Sequence, residues 1–329
     1  MSRQFASQAA QYFRRPHSET PTRPIEHPAA WYGADMAKRA GDWLIQFSTA
    51  DIETLEAAAQ QCLAQGLTLD DLSQETFAIP GVERKLLNAI EEVSRGRGFC
   101  VFRGLPVARW GEQFTSLVYW GMAQHLGLPG IQNPQGEKLG HVKDYGEAPG
   151  MQRLYRTAFN IGFHCDGAQA VGLLCLRQAK SGGQSRIASS VTVFNELIKT
   201  DPQLAARLFE PVYMDRRGEQ PPGEPPCTPI QPSCYEPPML RTFYHSEYFR
   251  SAARHPGYEP DQTTWQLLER YDAIANSPSV YLDMWLQPGD FQLISNYTII
   301  HARTEYQDYP EPERKRHLLR LWLNFRTQT

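Results

Sequence analysis

The stretch Asn160-Ile161-Gly162-Phe163-His164-Cys165-Asp166 places an imidazole and a carboxylate two residues apart. In an extended strand alternate side chains share a face, so His164 and Asp166 aim at one point while Cys165 aims away. The same period carried backwards puts Asn160 and Gly162 on the His164 face. A third metal ligand must come from elsewhere, and the best candidate is His301, at the end of the apolar run Tyr297-Thr298-Ile299-Ile300. Two histidines and one carboxylate form a facial triad with open coordination positions, which suits iron(II) oxygenases. Among nine histidines an HxD triplet arises easily by chance, so the triad needs independent support.

That support comes from the C-terminal segment Arg316-His317-Leu318-Leu319-Arg320-Leu321-Trp322-Leu323. Read as a strand, it sends Arg316 and Arg320 to one face and Leu319, Leu321 and Leu323 to the other. Two inward arginines demand an anion, and guanidinium groups grip carboxylates through bidentate, charge-assisted hydrogen bonds. A dicarboxylate is the natural partner. The bland alternative is a solvated helix face with arginines four apart.

The chain has 329 residues, 41% of them hydrophobic and 21% charged, the balance of a globular protein with a core. Lysine plus arginine number 33 against 36 acids, so no basic excess favours nucleic acid or an anionic membrane. No apolar run approaches the length of a membrane-crossing helix. Six scattered cysteines, without a CxxC pair or a secretory signal ahead of them, fit reduced thiols in the cytoplasm. Arg3, Arg14 and Arg15 precede the first acid, Glu19, a composition that also matches a mitochondrial transit peptide.

Residues 1–30 read as a polar, proline-dotted tail, and residues 31–329 as one domain. Helical spacing appears over Ala37–Phe47, Asp51–Gln65, Glu83–Arg95 and Val107–Leu126, with a short strand at Phe99–Phe102, so residues 31–130 form a helical elaboration. From about Gly162 short runs between turn residues, such as Val171–Arg177 and Tyr281–Leu286, indicate β-sheet, and residues 131–329 are the expected core. Residues 211–238 hold nine of the 25 prolines, too many for a helix or a central strand, and read as a lid or insertion.

The order HxD, Gly182-Gly183-Gln184-Ser185, Asn296 to His301 with Ala302-Arg303-Thr304, then RxxxR resembles the taurine dioxygenase-like (clavaminate synthase-like) family over most of the chain from about residue 30. The resemblance implies an α+β fold, a double-stranded β-helix (jelly-roll) core with flanking helices. It implies iron(II) held by His164, Asp166 and His301, and 2-oxoglutarate and dioxygen as co-substrates, with succinate and carbon dioxide released. Ser185 and Arg316 would hold the distal carboxylate of 2-oxoglutarate. Arg320 would lie by its iron-bound end or grip an acidic substrate group, and Asn160 occupies a place where relatives also have asparagine. The stretch between His301 and Arg316 is longer than in taurine dioxygenase, and Ser185 stands where that enzyme has threonine.

By the same resemblance the intact Asp166 argues against halogenation, since halogenases lack that carboxylate. Hydroxylation of a small organic substrate is the expected outcome, with cleavage, desaturation and epimerisation open. A cupin-like metal-dependent hydrolase or isomerase explains the triad equally well but leaves Ser185, Arg316 and Arg320 without a task. A silent protein that binds a small carboxylate is the remaining reading. Arg156 shares the strand parity of His164. Gln132, Asn133, His141 and His245 lie in polar segments without a spacing that assigns a role. Neither the substrate nor the oligomeric state is legible.

Overall fold

A computed structural model describes residues 11–133, 136–146 and 154–326. Two β-sheets face each other, and helices cover the outer face of each. The larger sheet runs β1 (Leu44–Gln46), β2 (Phe99–Arg103), β14 (Phe291–Ser295), β6 (Ala170–Arg177) and β17 (His317–Asn324), with β3 (Leu128–Pro129) and β4 (Gly140–Val142) both paired to β17. Only β1 with β2 is parallel in this sheet. The smaller sheet runs β13 (Tyr281–Met284), β8 (Ser185–Ser189), β15 (Ile299–Arg303) and β5 (Ile161–His164), antiparallel throughout. Short pairs complete the strands: β7 (Ser181–Gly182) with β16 (Tyr306–Gln307), and the hairpins β9 (Val212–Asp215) with β10 (Cys227–Ile230) and β11 (Ser233–Glu236) with β12 (Met239–Thr242).

Period-two patterning sorts the side chains into three buried layers. On β17, Leu319, Leu321 and Leu323 join the cluster under the helices Thr49–Ala64, Val82–Ser94 and Val107–Leu126, while Leu318 and Trp322 enter the layer between the sheets. On β6, Leu174 and Leu176 face those helices and Val171 and Cys175 face inward. The outer face of the smaller sheet packs Phe163, Ala188 and Ile300 against the helices Ser190–Thr200, Pro202–Arg207 and Gln262–Ala275. Burying one such aliphatic or aromatic side chain stabilises by about 1.5–3 kcal/mol, so each layer outweighs any single helix propensity.

Several expectations change. Residues 11–30 are not a free tail, because Tyr12 is fully buried, Ile25 and Ala29 join the smaller sheet's outer cluster, and the Tyr12 ring stacks on Tyr297 at 5.2 Å. The helix expected over Ala37–Phe47 breaks into Gly33–Lys38 and Ala40–Trp43 before β1, whose pairing with β2 outweighs the weak helical spacing. Because β1 and β2 belong to the larger sheet, the helical part and the core do not divide at residue 131. The second half also carries helices, including Gln262–Ala275, whose N-cap Asp261 accepts from the Thr264 amide. The proline-rich stretch forms two hairpins. Its prolines flank the strands, except for Pro229, which sits in a two-stranded ribbon where a missing N–H is tolerated.

The candidate active site

His164 and His301 lie directly opposite one another on β5 and β15, so both imidazoles project into the space between the sheets, with ring centroids 4.2 Å apart. Strand β5 ends at His164, and Asp166 reaches the same point from the following turn. Asn296 holds that turn: its Oδ1 accepts the Asp166 amide at 3.2 Å and its Nδ2 donates to Ala168 O at 2.7 Å. One ligand atom from each of His164, Asp166 and His301 falls within 4.8 Å of the other two. The Nδ1 of His164 is 2.9 Å from the carbonyl of Gly162, a bond that fixes the tautomer and leaves Nε2 for a metal.

The electrostatics favour a cation at this spot. Burial alone would raise the Asp166 carboxyl, but Arg320, then His301 and His164, and the Trp322 indole hold it well below the ordinary carboxylate range. Trp322 Nε1 donates to Asp166 Oδ2 at 3.0 Å, and Arg320 Nη1 stands 3.6 Å from the same oxygen. Burial, and then the neighbouring His164, push His301 down to about 3, so its ring is neutral and can ligate. The donor set of two imidazoles and one ionised carboxylate fits iron(II).

A pocket joins this cluster to a second group, lined among others by Tyr155, Ser185, Arg303, Arg316 and Arg320. Arg316 is 5% exposed, and its Nη1 has no partner among the described residues. Its backbone amide donates to Asp308 Oδ1 at 2.7 Å, and its guanidinium packs on Gly183. Gly182 and Gly183 both have positive φ, at 73° and 75°, and a Cβ on Gly183 would meet Arg316 Nε at 3.0 Å. Arg303, two residues after His301, donates from Nη2 to Thr157 O at 2.8 Å and to Phe159 O, while its buried Nε and Nη1 have no partner among the described residues. Burial and the charge of Arg316 bring Arg303 down to about 10. Neither arginine pairs with a described carboxylate. Two desolvated guanidiniums with unused N–H groups make a site for an anion.

The other residues singled out in the sequence fall as follows. Ser185 donates to Gln292 Oε1 at 3.0 Å. Arg320 donates from Nε to Gln132 Oε1 at 2.7 Å and lies over the rings of Tyr155 and Trp322. Asn160 is not brought to the site. Arg303 pairs with Ile161 and His301 with His164, so β5 carries an extra residue between them, and the bulge puts Ile161 rather than Gly162 or Asn160 on the His164 face. Asn160 is exposed. Arg156 ends a short helical turn and lies 3.9 Å from the centroid of the Tyr145 ring. Asn133 donates to Glu137. His245 stands beside His164, and burial, followed by that neighbouring imidazole, holds its pKa well below the ordinary histidine value. Sequence reasoning gave no role to Gln132, Asn296, Arg303, Gln292 or Trp322. Asn296 and Arg303 carried a signal as members of the family motif, and Trp322 as the residue two places after Arg320.

One other group of possible ligands exists among the described residues: Glu112, His141 and His317. The Nε2 of His317 is 2.8 Å from His141 Nδ1, and Arg177 Nη2 is 3.2 Å from His317 Nδ1. With Arg177 donating to one ring nitrogen, the other must keep its proton, so this is a hydrogen-bonded chain rather than a metal site.

The profile of the "Taurine catabolism dioxygenase TauD, TfdA family" matches residues 64–322. The chain belongs to this family. It is an iron(II)- and 2-oxoglutarate-dependent oxygenase of mixed helices and sheets with a jelly-roll type core. It is 29% identical over 308 residues to the FR-33289 synthase of Streptomyces rubellomurinus (strain ATCC 31215), covering 92% of this chain and 91% of that protein. It is 28% identical over 310 residues to the Taurine hydroxylase-like protein SAT17 of Stachybotrys chartarum (strain CBS 109288 / IBT 7711), covering 89% and 77%. Among solved structures, an asparagine oxygenase in complex with Fe(II), 2S,3S-3-hydroxyasparagine and succinate superposes with a TM-score of 0.69 at 20% identity, covering 85% of this chain and 93% of that one.

Proposed function

We propose that this oxygenase hydroxylates a small organic substrate, with His164, Asp166 and His301 holding iron(II) and with Arg316, Arg303 and Ser185 holding the distal carboxylate of 2-oxoglutarate. The two sheets then act as one double-stranded β-helix, in a single domain that begins by Tyr12. The observation that carries the reading is the pocket itself, which connects the three ligands to two buried guanidiniums whose N–H groups are not all partnered among the described residues. A hydrolase sharing the triad would have no use for that second half.

When bound, iron(II) and 2-oxoglutarate supply the oxidising power. The chain's own part is to bind, orient and exclude water. Asp166, kept ionised by Arg320, contributes the negative charge of the metal site. Gln292 can turn its amide over, so that its Nε2 donates to Ser185 Oγ and the Ser185 hydroxyl is free to donate to the carboxylate; amide orientation follows the hydrogen-bond partners available. Gln132 and Tyr155 hold Arg320 in place, one by a hydrogen bond and one by ring contact.

The test is succinate release from 2-oxoglutarate by the iron(II)-loaded protein, across a panel of amino acids, sulfonates and phosphorylated small molecules. Substrate-stimulated succinate is the expected result. Substrate turnover that proceeds without 2-oxoglutarate or dioxygen would replace this reading with the hydrolase or isomerase.

A further inference from the structure

The Gly182-Gly183 turn admits a ring as well as an arginine. Pairing of β7 with β16 sets Gly182 opposite Tyr306, and the Gly183 amide donates to Glu305 O at 3.1 Å. A Cβ on Gly182 would meet Glu305 O at 2.1 Å and Tyr306 Cα at 3.0 Å, and one on Gly183 would meet Tyr306 Cβ at 3.3 Å. The two glycines therefore let the backbone of Tyr306 come close. From the other side, the Tyr306 amide donates to Ala158 O at 3.1 Å. The neighbours of Ala158, Thr157 and Phe159, are the residues whose carbonyls accept from Arg303 Nη2. Tyr306 and the Arg303 guanidinium thus hang from one short stretch, and two residues after Phe159 the chain enters β5.

Fixed in this way, the Tyr306 ring lies against both arginines of the anion half of the pocket. Its centroid is 4.8 Å from Cζ of Arg303 and 5.0 Å from Cζ of Arg316. All three residues are buried, and both arginines line the pocket while Tyr306 does not. Two guanidiniums in a dry site repel, and no described carboxylate is bonded to either side chain. An aromatic face attracts cations, most strongly where water is excluded. Burial raises the Tyr306 hydroxyl above its ordinary pKa against the opposing pull of Arg303 and Arg316, so the ring is a neutral phenol and its π face carries the attraction.

We infer that Tyr306 is the positioning residue of the anion site: one ring, fixed by the Gly182-Gly183 turn and by Ala158, holds the Arg303 and Arg316 guanidiniums side by side at the pocket before the carboxylate arrives. Without the ring the two charges would part, and the incoming anion would have to gather them, which lowers affinity. This role rests on the proposed 2-oxoglutarate site.

The test is calorimetric titration of 2-oxoglutarate into the iron(II)-loaded protein without oxygen. Tyr306→Phe keeps the ring and should bind within about threefold of wild type, whereas Tyr306→Leu should bind about tenfold more weakly. Iron(II) affinity should be equal in all three. Because leucine also changes the packing of the turn, Tyr306 is then replaced at nearly constant shape by phenylalanines carrying successively more ring fluorines, which withdraw the negative charge of the π face. The affinity for 2-oxoglutarate should fall step by step along this series, without a matching trend in melting temperature. In an Arg303→Gln background the slope should be shallower, because one of the two cations is gone. A series without trend, a slope unchanged by Arg303→Gln, or equal losses in Tyr306→Phe and Tyr306→Leu overturns the role of the ring and leaves the co-substrate site standing. If the wild-type protein binds iron(II) but no 2-oxoglutarate, the proposed co-substrate site falls and the positioning role with it.

Discussion

The guanidinium of Arg320 stands 3.6 Å from Oδ2 of Asp166, so the arginine nearest the metal site leans on a ligand. Arg320 therefore has a task beside Asp166 whether or not it also meets co-substrate or substrate. Arg320→Gln should lower iron(II) affinity by about tenfold, because the buried carboxylate loses its cationic neighbour and protonates more easily. Trp322→Phe, which removes one neutral donor from the same oxygen, should cost less, under about tenfold. Metal titration of both variants checks this, and equal affinity in Arg320→Gln and wild type would refute it.

The two ends of the proposed 2-oxoglutarate grip should differ in weight. Arg316→Ala strands a desolvated carboxylate and should weaken 2-oxoglutarate binding by roughly a hundredfold or more, whereas Ser185→Ala removes one neutral donor and should cost about 1 kcal/mol. Gly183→Ala should resemble Arg316→Ala in kind, since the added Cβ would meet the arginine at 3.0 Å. Small, equal effects across the three would remove the co-substrate from this end of the pocket.

His317 gives a pH dependence of stability that can be isolated. Burial, then His141, Arg177 and Lys143, lower its pKa from 6.5 to about 3 in the folded chain. Between those values the unfolded chain binds a proton that the folded chain refuses, so the contribution is fully present above 6.5 and is lost as pH falls toward 3. The slope is at most about 1.4 kcal/mol per pH unit. Urea unfolding of the metal-free protein between about pH 7 and pH 5 should show a shallower dependence in His317→Gln than in wild type. Parallel curves would mean the ring is protonated in the folded state.

Tyr12 ties the N-terminal segment to the site. Its hydroxyl donates to the carbonyl of Asn296 at 3.1 Å, the residue that holds the Asp166 turn. Tyr12→Ala should destabilise the protein by about 3–5 kcal/mol, the range for removing a large buried aromatic side chain. It should also weaken iron(II) binding. Denaturant unfolding and metal titration measure the two effects, and a neutral result in both would return residues 11–30 to the status of a tail.

What the sequence made legible follows from local periodicity. The alternation of Leu319, Leu321 and Leu323 against Arg316 and Arg320 is visible in the chain, and the structure keeps it because one face of β17 meets apolar helices. The pairing of His164 with His301 was readable as chemistry, though not as register. Asn160 was misplaced because a bulge breaks the period between Ile161 and His164, and a one-residue insertion leaves no mark in composition. Gln132 and Asn296 were invisible as supports because their partners, Arg320 and Asp166, lie 188 and 130 residues away. The helix Gln262–Ala275 was overlooked among strands, although Asp261 ahead of Gln262 offered a cap.

Strand β17 can also be regarded as a measuring rod. Arg320 lies within it and Arg316 immediately before its first residue, about 13 Å away at an extended rise of 3.3 Å per residue. Pairing with β6 and β4 fixes the Arg320 end of that interval, while a register shift against β6 between His317 and Leu318 falls at the Arg316 end. If Arg316 holds the far carboxylate of 2-oxoglutarate as proposed, a dicarboxylate one carbon shorter or longer should bind the iron(II)-loaded protein more weakly, which a titration with oxaloacetate and 2-oxoadipate would measure.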